Sequence, residues 1–316
     1  MWVCSMELSS RSSATIPTQE RACSAMSQAC PNPSGVAFIG LGALGAPMAA
    51  NLLKAGYRLH VHNRTPAAAE PLLGAGAQWA ATAAQAAAAA DQLCLCLSDD
   101  AAVQEVLMAA SSGLRPGSLV IDFSTISPAT SQVLAQQLGE HNVRYIDAPV
   151  TGGTEGARAG TLSVLVGADA ADLERAHPLL AVVGERISHL GAVGAGQQAK
   201  AVNQVLVAGS YAATAEAIAL AQRLSLPMTE LLAALRPGAA GSWALSHRAD
   251  GMVAGHYPLG FKLALHRKDL AIAQQAAAGV NLELPISSQV AAMEDGLIDA
   301  GHGECDVSVL AEWFRA

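Results

Sequence analysis

The chain has 316 residues, 52% of them hydrophobic and 14% charged; this is long enough for two domains and a sizeable core, and it excludes disorder as a global state. Twenty-six acidic against eighteen basic residues leave a formal charge of −8, so no global basic field exists to attract nucleic acid or anionic lipid, and an anionic ligand must be met by a local site. Mean hydropathy is +0.31, but the charge-free stretch over residues 71–90 is Ala, Gly, Gln and Thr rather than the Leu/Ile/Phe/Val run of about 20 residues that a bilayer span needs. A soluble protein with no membrane partner is expected.

Six cysteines, at 4, 23, 30, 94, 96 and 305, form no CxxC pair and no cluster with His at metal-ligand spacing. This suits neither zinc nor a disulfide framework and fits a reducing cytoplasm. Residues 1–34 are rich in Ser, Cys, Met and Pro, lack the apolar core of a secretory signal, and read as a disordered tail. Arg11, Arg21 and several Ser leave an organelle-targeting segment open, against which stand Glu7, Glu20 and the lack of a clear amphipathic helix; an upstream or misassigned start is at least as open.

From Val36 the pattern is ordered. VAFIG is a short buried strand, followed by a glycine turn, the apolar helix APMAANLLKAG and a second strand, RLHVHN. QLCLCLS, SLVIDFS and VRYIDAPV are strand-like, with AAVQEVLMAA and ATSQVLAQQLG helical between them, and LSVLVG and ERISHLG are the last strands. This alternation predicts an α/β, doubly wound Rossmann-type sheet over residues 35–195. Beyond it come AKAVNQVLVAGSYAATAEAIALAQRL, TELLAALR, FKLALHRKDLAIAQQAAA and ISSQVAAMEDGLIDA, which predict an all-α domain over 196–316. The run 80–90 reads as helix by alanine propensity.

The turn after the first strand is Gly40-Leu41-Gly42-Ala43-Leu44-Gly45, a complete GxGxxG between strand and helix, with Pro47 in the first helical turn. Gly40 permits the tight turn, Gly42 lets backbone approach a pyrophosphate at a helix N-terminus, and Gly45 lets the helix pack on the strand. At the end of the second strand, where an acid would hold the ribose hydroxyls of NAD, stand Asn63, Arg64 and Thr65. A guanidinium and a hydroxyl suit a 2′-phosphate, which favours NADP and leaves NAD as the alternative; a solvated surface Arg is the plain alternative for Arg64.

FIGLGALGAPMAANLLKAGY, DFSTISPAT, DAPVTGGTEGARAGTLSVLVG, GAGQQAKAVNQ and FKLALHRKDLAIA follow one another at suitable spacings. Together, over about residues 35–315, they resemble the β-hydroxyacid dehydrogenases, which include 3-hydroxyisobutyrate dehydrogenase, tartronate semialdehyde (2-hydroxy-3-oxopropionate) reductase and the glyoxylate/succinic semialdehyde reductases. The resemblance implies that Leu97 and Ser98 lie along the dinucleotide, although the family usually has Pro at 98, and that Ser124 and Thr125 contact its nicotinamide side or the substrate. As residues, both hydroxyls are equally good N-cap formers. Thr151, Gly152 and Gly153 match the motif that holds a substrate carboxylate in a backbone anion nest; many members carry Ser at 151. Lys268, in LHRKDL, matches a lysine that closes over the nicotinamide end.

Lys200 stands near the start of the long apolar helix, one of few charges able to face an interdomain cleft. An ammonium within reach of the aldehyde oxygen stabilises and protonates the alkoxide formed in reduction. Asn203, three residues on, shares its helix face. The resemblance makes Lys200 the general acid/base with Asn203 beside it, while the KxxNQ form given by Gln204 leans toward semialdehyde reductases. His60, His62, His247 and His266 have no metal spacing, and no metal is expected. The expected function is NADP-dependent 3-hydroxyacid dehydrogenation, or reduction of a small carboxylate-bearing semialdehyde such as tartronate, methylmalonate or succinate semialdehyde, by a homodimer or homotetramer joined through the helical domain. A non-catalytic dinucleotide-binding module is the alternative of another class; the presence of Lys200 argues against it.

Overall fold

The structure, a computed structural model, describes residues 35–315; the tail expected over 1–34 lies outside them. The first half alternates strands and helices: β1 (Val36–Ile39), α1 (Gly45–Lys54), β2 (Leu59–His62), α2 (Glu70–Gly74), β3 (Gln78–Trp79), α3 (Ala83–Ala88), β4 (Gln92–Leu95), α4 (Asp100–Ala110), β5 (Leu119–Asp122), α5 (Pro128–Gly139), β6 (Arg144–Asp147), β7 (Val150–Thr151), α6 (Gly153–Ala159), β8 (Leu162–Gly167), α7 (Ala170–Val183) and β9 (Gly184–Gly191). The sheet runs β3-β2-β1-β4-β5-β6-β8-β7, with β9 on β8, and the six strands from β3 to β6 are parallel. Chain order reverses between β1 and β4, which opens a crevice beyond their carboxyl ends.

The central strands β1, β4 and β5 are buried on both faces, so they are apolar at consecutive positions, whereas β2 alternates buried Leu59 and Val61 with half-buried His60 and His62, and the edge strand β3 is exposed. Phe38, Leu119 and Ile146 point into one core layer with Met48 and Leu52 of α1; Ile39, Leu95 and Val120 point into the other, with Val103 of α4 and Leu134 of α5. Burying each such side chain contributes roughly 1.5–3 kcal/mol, and Phe38→Ala is expected to cost about 3–5 kcal/mol.

Several stretches depart from the sequence reading, among them the short elements α2, β3, α6, α10 and α11, which it did not include. VRYIDAPV is not one strand: it breaks after Asp147, and Val150–Thr151 turns back as an antiparallel partner of β8. Pro149 has no N–H to continue a ladder. Helix α7 answers to no expectation, because Pro178 inside it obscures a buried face of Ala176, Leu179, Leu180 and Val183.

The second half is helical: α8 (Ala195–Arg223), α9 (Met228–Leu235), α10 (Trp243–His247), α11 (Ala249–Ala254), α12 (Leu263–Ala278) and α13 (Pro285–Leu297), then short turns and a 3₁₀ segment, Val307–Phe314. Ala208, Tyr211, Ala215 and Ile218 of α8 recur at three- and four-residue spacing and pack with Leu263 and Leu270 of α12, Val290 of α13 and Leu310. By length and composition α8 is the one helix among the described residues apolar enough to cross a membrane, a feature absent from the charge-free run 71–90. Its buried side carries Gln197, Lys200, Gln204 and Thr214, and the helical core is assembled around it.

The join between the halves fixes the start of α8. Asp147, the last residue of β6, accepts hydrogen bonds from the backbone N–H of Gly194 at 2.7 Å and of Gln197 at 2.8 Å, so a carboxylate holds the N-terminus of this helix. Burial still pushes this acid up to about 6. Lys200 stands one turn further along α8, above the carboxyl ends of the strands.

Candidate active site

A cleft of about 500 Å³ lies between the sheet's carboxyl edge and the helical layer. Its walls include Leu44 from the glycine turn, Leu97 and Ser98 after β4, Ser124 and Thr125 after β5, and Thr151 to Gly153. Opposite stand Lys200 and Asn203 of α8 and Lys268 of α12. Eleven of the residues singled out in the sequence, from six separate segments, therefore meet at one cavity.

Lys200 is only 7% exposed. Burial lowers its pKa to about 8; the neighbouring charge of Lys268 acts in the same direction and that of Asp269 opposes. Lys268 Nζ lies 2.9 Å from Asp269 Oδ1 and also donates to the carbonyl of Thr125, which ties α12 to the loop after β5. Asp269 Oδ2 accepts from Gln204 Nε2 at 2.7 Å, and Gln204 Oε1 accepts from Asn203 Nδ2 at 2.7 Å. Asn203 thus shares the cleft with Lys200 but gives this hydrogen bond to Gln204. Asp269 is 3% exposed and Lys268 half-buried, so the pair belongs to a polar chain that runs into the cleft wall.

Ser124 and Thr125 do not cap a helix. Ser127 caps α5 by accepting from Thr130 N, while Ser124 Oγ accepts from Leu97 N at 2.9 Å and so joins the loops after β4 and β5. Ser98 Oγ donates to Asp99 Oδ2 at 2.7 Å. Gly152 (φ 131°) and Gly153 (φ 63°) both take left-handed backbone, and Gly153 opens α6. Consecutive residues of this kind turn backbone N–H groups toward one side, and a side chain at either position would be strained.

Gly40, Leu41, Gly42, Ala43, Gly45, Asn63, Arg64 and Thr65 stand beyond the walled part of the cleft, around the β1–α1 turn. The turn has the form a dinucleotide requires. Gly40 has φ 97°, a Cβ on Gly45 would stand 1.9 Å from Gly40 O, and a Cβ on Gly42 would meet nothing within 4 Å. Gly45 is thus needed for packing, whereas the space before Gly42 and the start of α1 is free for a phosphate group. Asn63 Oδ1 accepts from Leu41 N at 2.9 Å, fixing the end of β2 beside the turn, and Arg64 and Thr65 follow it exposed.

Three features of the cleft carried no sequence signal: Arg248, Tyr211 and Trp243 also line it. Arg248 falls between two short helices, outside any periodic pattern. Gln197 was legible in principle, being one turn before Lys200 on α8. Among the described residues no cluster of His, Cys, Asp and Glu has the arrangement of a metal site.

Residues 35–191 match the family model described as the NAD binding domain of 6-phosphogluconate dehydrogenase, and residues 194–314 match that described as NAD-binding of NADP-dependent 3-hydroxyisobutyrate dehydrogenase. The chain is 38% identical to 2-hydroxy-3-oxopropionate reductase of Escherichia coli over 278 residues, covering 87% of this chain and 95% of that protein. It is also 38% identical to an NAD-dependent L-serine dehydrogenase of Pseudomonas aeruginosa, covering 88% and 97%. Among solved structures it resembles 3-hydroxyisobutyrate dehydrogenase of Mycobacterium tuberculosis with L-serine, at a TM-score of 0.81 and 33% identity, over 90% of this chain and 100% of that one. With a glycine turn shaped for a dinucleotide and a buried lysine across the cleft, the chain belongs to the β-hydroxyacid dehydrogenase family and is an NAD(P)-dependent oxidoreductase acting on a hydroxyl group.

Proposed function

We propose that this protein is an NADP-preferring 3-hydroxyacid dehydrogenase that interconverts a small semialdehyde carboxylate and its 3-hydroxy acid, with Lys200 as general acid and base. The observation that carries the reading is the buried Lys200, with a pKa near 8, facing the same cleft as the glycine pair at 152–153. A nicotinamide dinucleotide, held along Gly40 to Gly45 with Leu97, Ser98, Thr125 and Lys268 toward its nicotinamide end, supplies the hydride when bound.

The chain's own groups do the rest. The N–H groups of the Thr151–Gly153 turn and the Thr151 hydroxyl, with Ser124 beside them, hold the substrate carboxylate. This places the aldehyde carbon toward the cofactor end of the cleft. The Lys200 ammonium donates a hydrogen bond to the aldehyde oxygen, stabilises the negative charge that grows there, and gives up a proton. In oxidation the neutral amine takes the hydroxyl proton instead. Asn203 and Gln204 hold Asp269 beside Lys200, and this charge favours the ammonium. The exposure of Arg64 at the end of β2 supports a contact with a ribose 2′-phosphate and thus NADP over NAD.

Val202 and Leu206 on α8 are 64% and 69% exposed, and Leu220 and Leu224 continue the apolar surface. They support assembly of a homodimer or homotetramer through the helical domain, in a cytoplasmic enzyme; a monomer in sedimentation velocity would refute the assembly.

Initial rates of nicotinamide absorbance change test the main reading. NADPH and NADH are offered with glyoxylate, tartronate semialdehyde, methylmalonate semialdehyde and succinic semialdehyde, to wild type and Lys200→Ala in parallel. Turnover with NADPH that collapses in the variant is expected, and the wild-type rates rank the substrates. NADPH binding without reduction of any aldehyde would overturn the reading in favour of a dinucleotide-binding module.

A further inference from the structure

Near Lys200 the cleft contains a second cation that no motif announces. Arg248, between α10 and α11, lines the same cavity with its side chain only 9% exposed. Its guanidinium lies over the Trp243 ring at 4.7 Å and reaches across the cleft from the helical half to the Rossmann half, where Nη2 donates to Glu155 Oε1 at 2.8 Å. Nη1 donates to the carbonyl of His247. Nε is buried with no hydrogen-bond acceptor; its nearest anion, Asp306 Oδ1, is 3.5 Å away.

The two acids near Arg248 differ in kind. Asp306 is fully buried and already saturated: Oδ2 accepts from the N–H of Gly260 and Phe261, and Oδ1 from the N–H and hydroxyl of Ser308. The guanidinium, 3.5 Å away, serves it as a counter-charge and not as a hydrogen-bond donor. Glu155 is 49% exposed, lies two residues beyond Gly153 in the first turn of α6, and its Oε2 would stand 3.0 Å from a Cβ built on Gly153. A carboxylate of the protein therefore sits against the glycine turn, on the guanidinium, and is free to leave for water. Lys200, Lys268 and Arg248 stand against Asp269 among the charged side chains of the cavity wall, so in a chain of net charge −8 this cleft is the local site for an anion.

We propose that Arg248 is the counter-charge for the substrate carboxylate at the Thr151–Gly153 turn, and that Glu155 occupies the guanidinium until substrate displaces it. This rests on the proposed function, in which the substrate is a small carboxylate. Backbone N–H groups orient a carboxylate but carry no net charge; a buried guanidinium, with a fork of donors and one Nε lacking an acceptor, adds the charge and selects the acid over a neutral analogue of the same shape. Stacking on Trp243 holds the guanidinium plane in place while its acceptor changes.

Calorimetric titration of the protein saturated with NADPH, which cannot react with a hydroxy acid, using 3-hydroxypropanoate and its methyl ester as probes, tests the assignment. In Arg248→Met the affinity for the acid is expected to fall roughly 10- to 100-fold, the worth of a lost charged hydrogen bond, while the ester changes less than about threefold. Arg248→Lys should lie between wild type and Arg248→Met, and Glu155→Gln, which removes the competitor, should tighten the acid. Equal weakening of acid and ester, an unchanged acid affinity, or no acid binding by wild type would each overturn the proposal. Initial rates with the same compounds separate the role of Arg248 from the dehydrogenase activity. Arg248-dependent binding without turnover in wild type would remove the dehydrogenase reading alone, and turnover indifferent to Arg248 would remove the counter-charge assignment alone.

Discussion

Gln197 brackets Thr125. Its Nε2 donates to the carbonyl of Ser124 at 2.8 Å and its Oε1 accepts from the N–H of Ile126 at 3.2 Å, so one buried carboxamide grips the backbone on both sides of the cleft residue. Gln197 lies one turn before Lys200 on α8, and Asp147 accepts from its own backbone N–H. The distance between the loop after β5 and the lysine is therefore set by hydrogen bonds within the first turn of α8. Gln197→Leu is expected to lower kcat roughly 10- to 100-fold, since small displacements of reacting groups cost that much, while the pH midpoint belonging to Lys200 stays in place. Steady-state kinetics across pH check this, with a thermal melt to show that the fold is kept.

Lys200 is held at a cost to stability. Its folded pKa, about 8, lies below the ordinary 10.5. Between those values the unfolded chain carries a proton that the folded one has lost, so wild-type stability rises with pH through that window, and the penalty for the buried charge is fully present below about pH 8. Lys200→Met is expected to abolish turnover and to stabilise the fold at pH 7 by roughly 1–3 kcal/mol. The gain should fade by pH 10.5, which urea denaturation at several pH values would reveal.

In the role proposed for it, the same group should give reduction and oxidation opposite pH profiles. Reduction needs the ammonium, so kcat/KM for a semialdehyde should fall as pH rises through about 8. Oxidation needs the neutral amine, so kcat/KM for the 3-hydroxy acid should rise through the same value. Matching slopes in the two directions would show that another group titrates.

Two glycines in one motif should fail differently. A Cβ at Gly42 meets no protein atom within 4 Å, whereas one at Gly45 would stand 1.9 Å from Gly40 O. Gly42→Ala is expected to keep the melting temperature and to weaken dinucleotide binding at least about tenfold; Gly45→Ala should lose several degrees of melting temperature, because backbone must move. Calorimetric binding and scanning fluorimetry on both variants distinguish the cases.

Arg64 is exposed and its effect should be confined to one cofactor. Arg64→Ala is expected to raise KM for NADPH roughly 5- to 50-fold, the value of a charge-assisted phosphate contact, and to leave KM for NADH nearly unchanged. An equal effect on both would remove the 2′-phosphate assignment.

Much of this molecule is local in origin and could be read in order along the chain. A strand buried on both faces must be apolar throughout, as VAFI and LVID are, save for the closing acid of the latter. A helix packed against a strand by backbone contact needs glycine where Gly45 stands, and a long helix built round one core repeats small and apolar residues at three and four, as α8 does. Such constraints act on neighbours in sequence, so the Rossmann order, the helical second half and the glycine turn from Gly40 to Gly45 were accessible, whereas Leu97, Ser124, Thr151 and Lys268 were named through the resemblance alone. Tertiary structure decided what depends on residues far apart. Only the folded chain buries Lys200 beside Lys268 and so lowers its pKa, sets Asp147 under the N-terminus of α8, and carries Arg248 across 93 positions to Glu155. Nothing in the sequence around Arg248 differs from a surface loop. Its burial, its missing acceptor and its exchangeable partner arise when two halves of the chain close on one cavity, where charge and desolvation are set by groups from both sides.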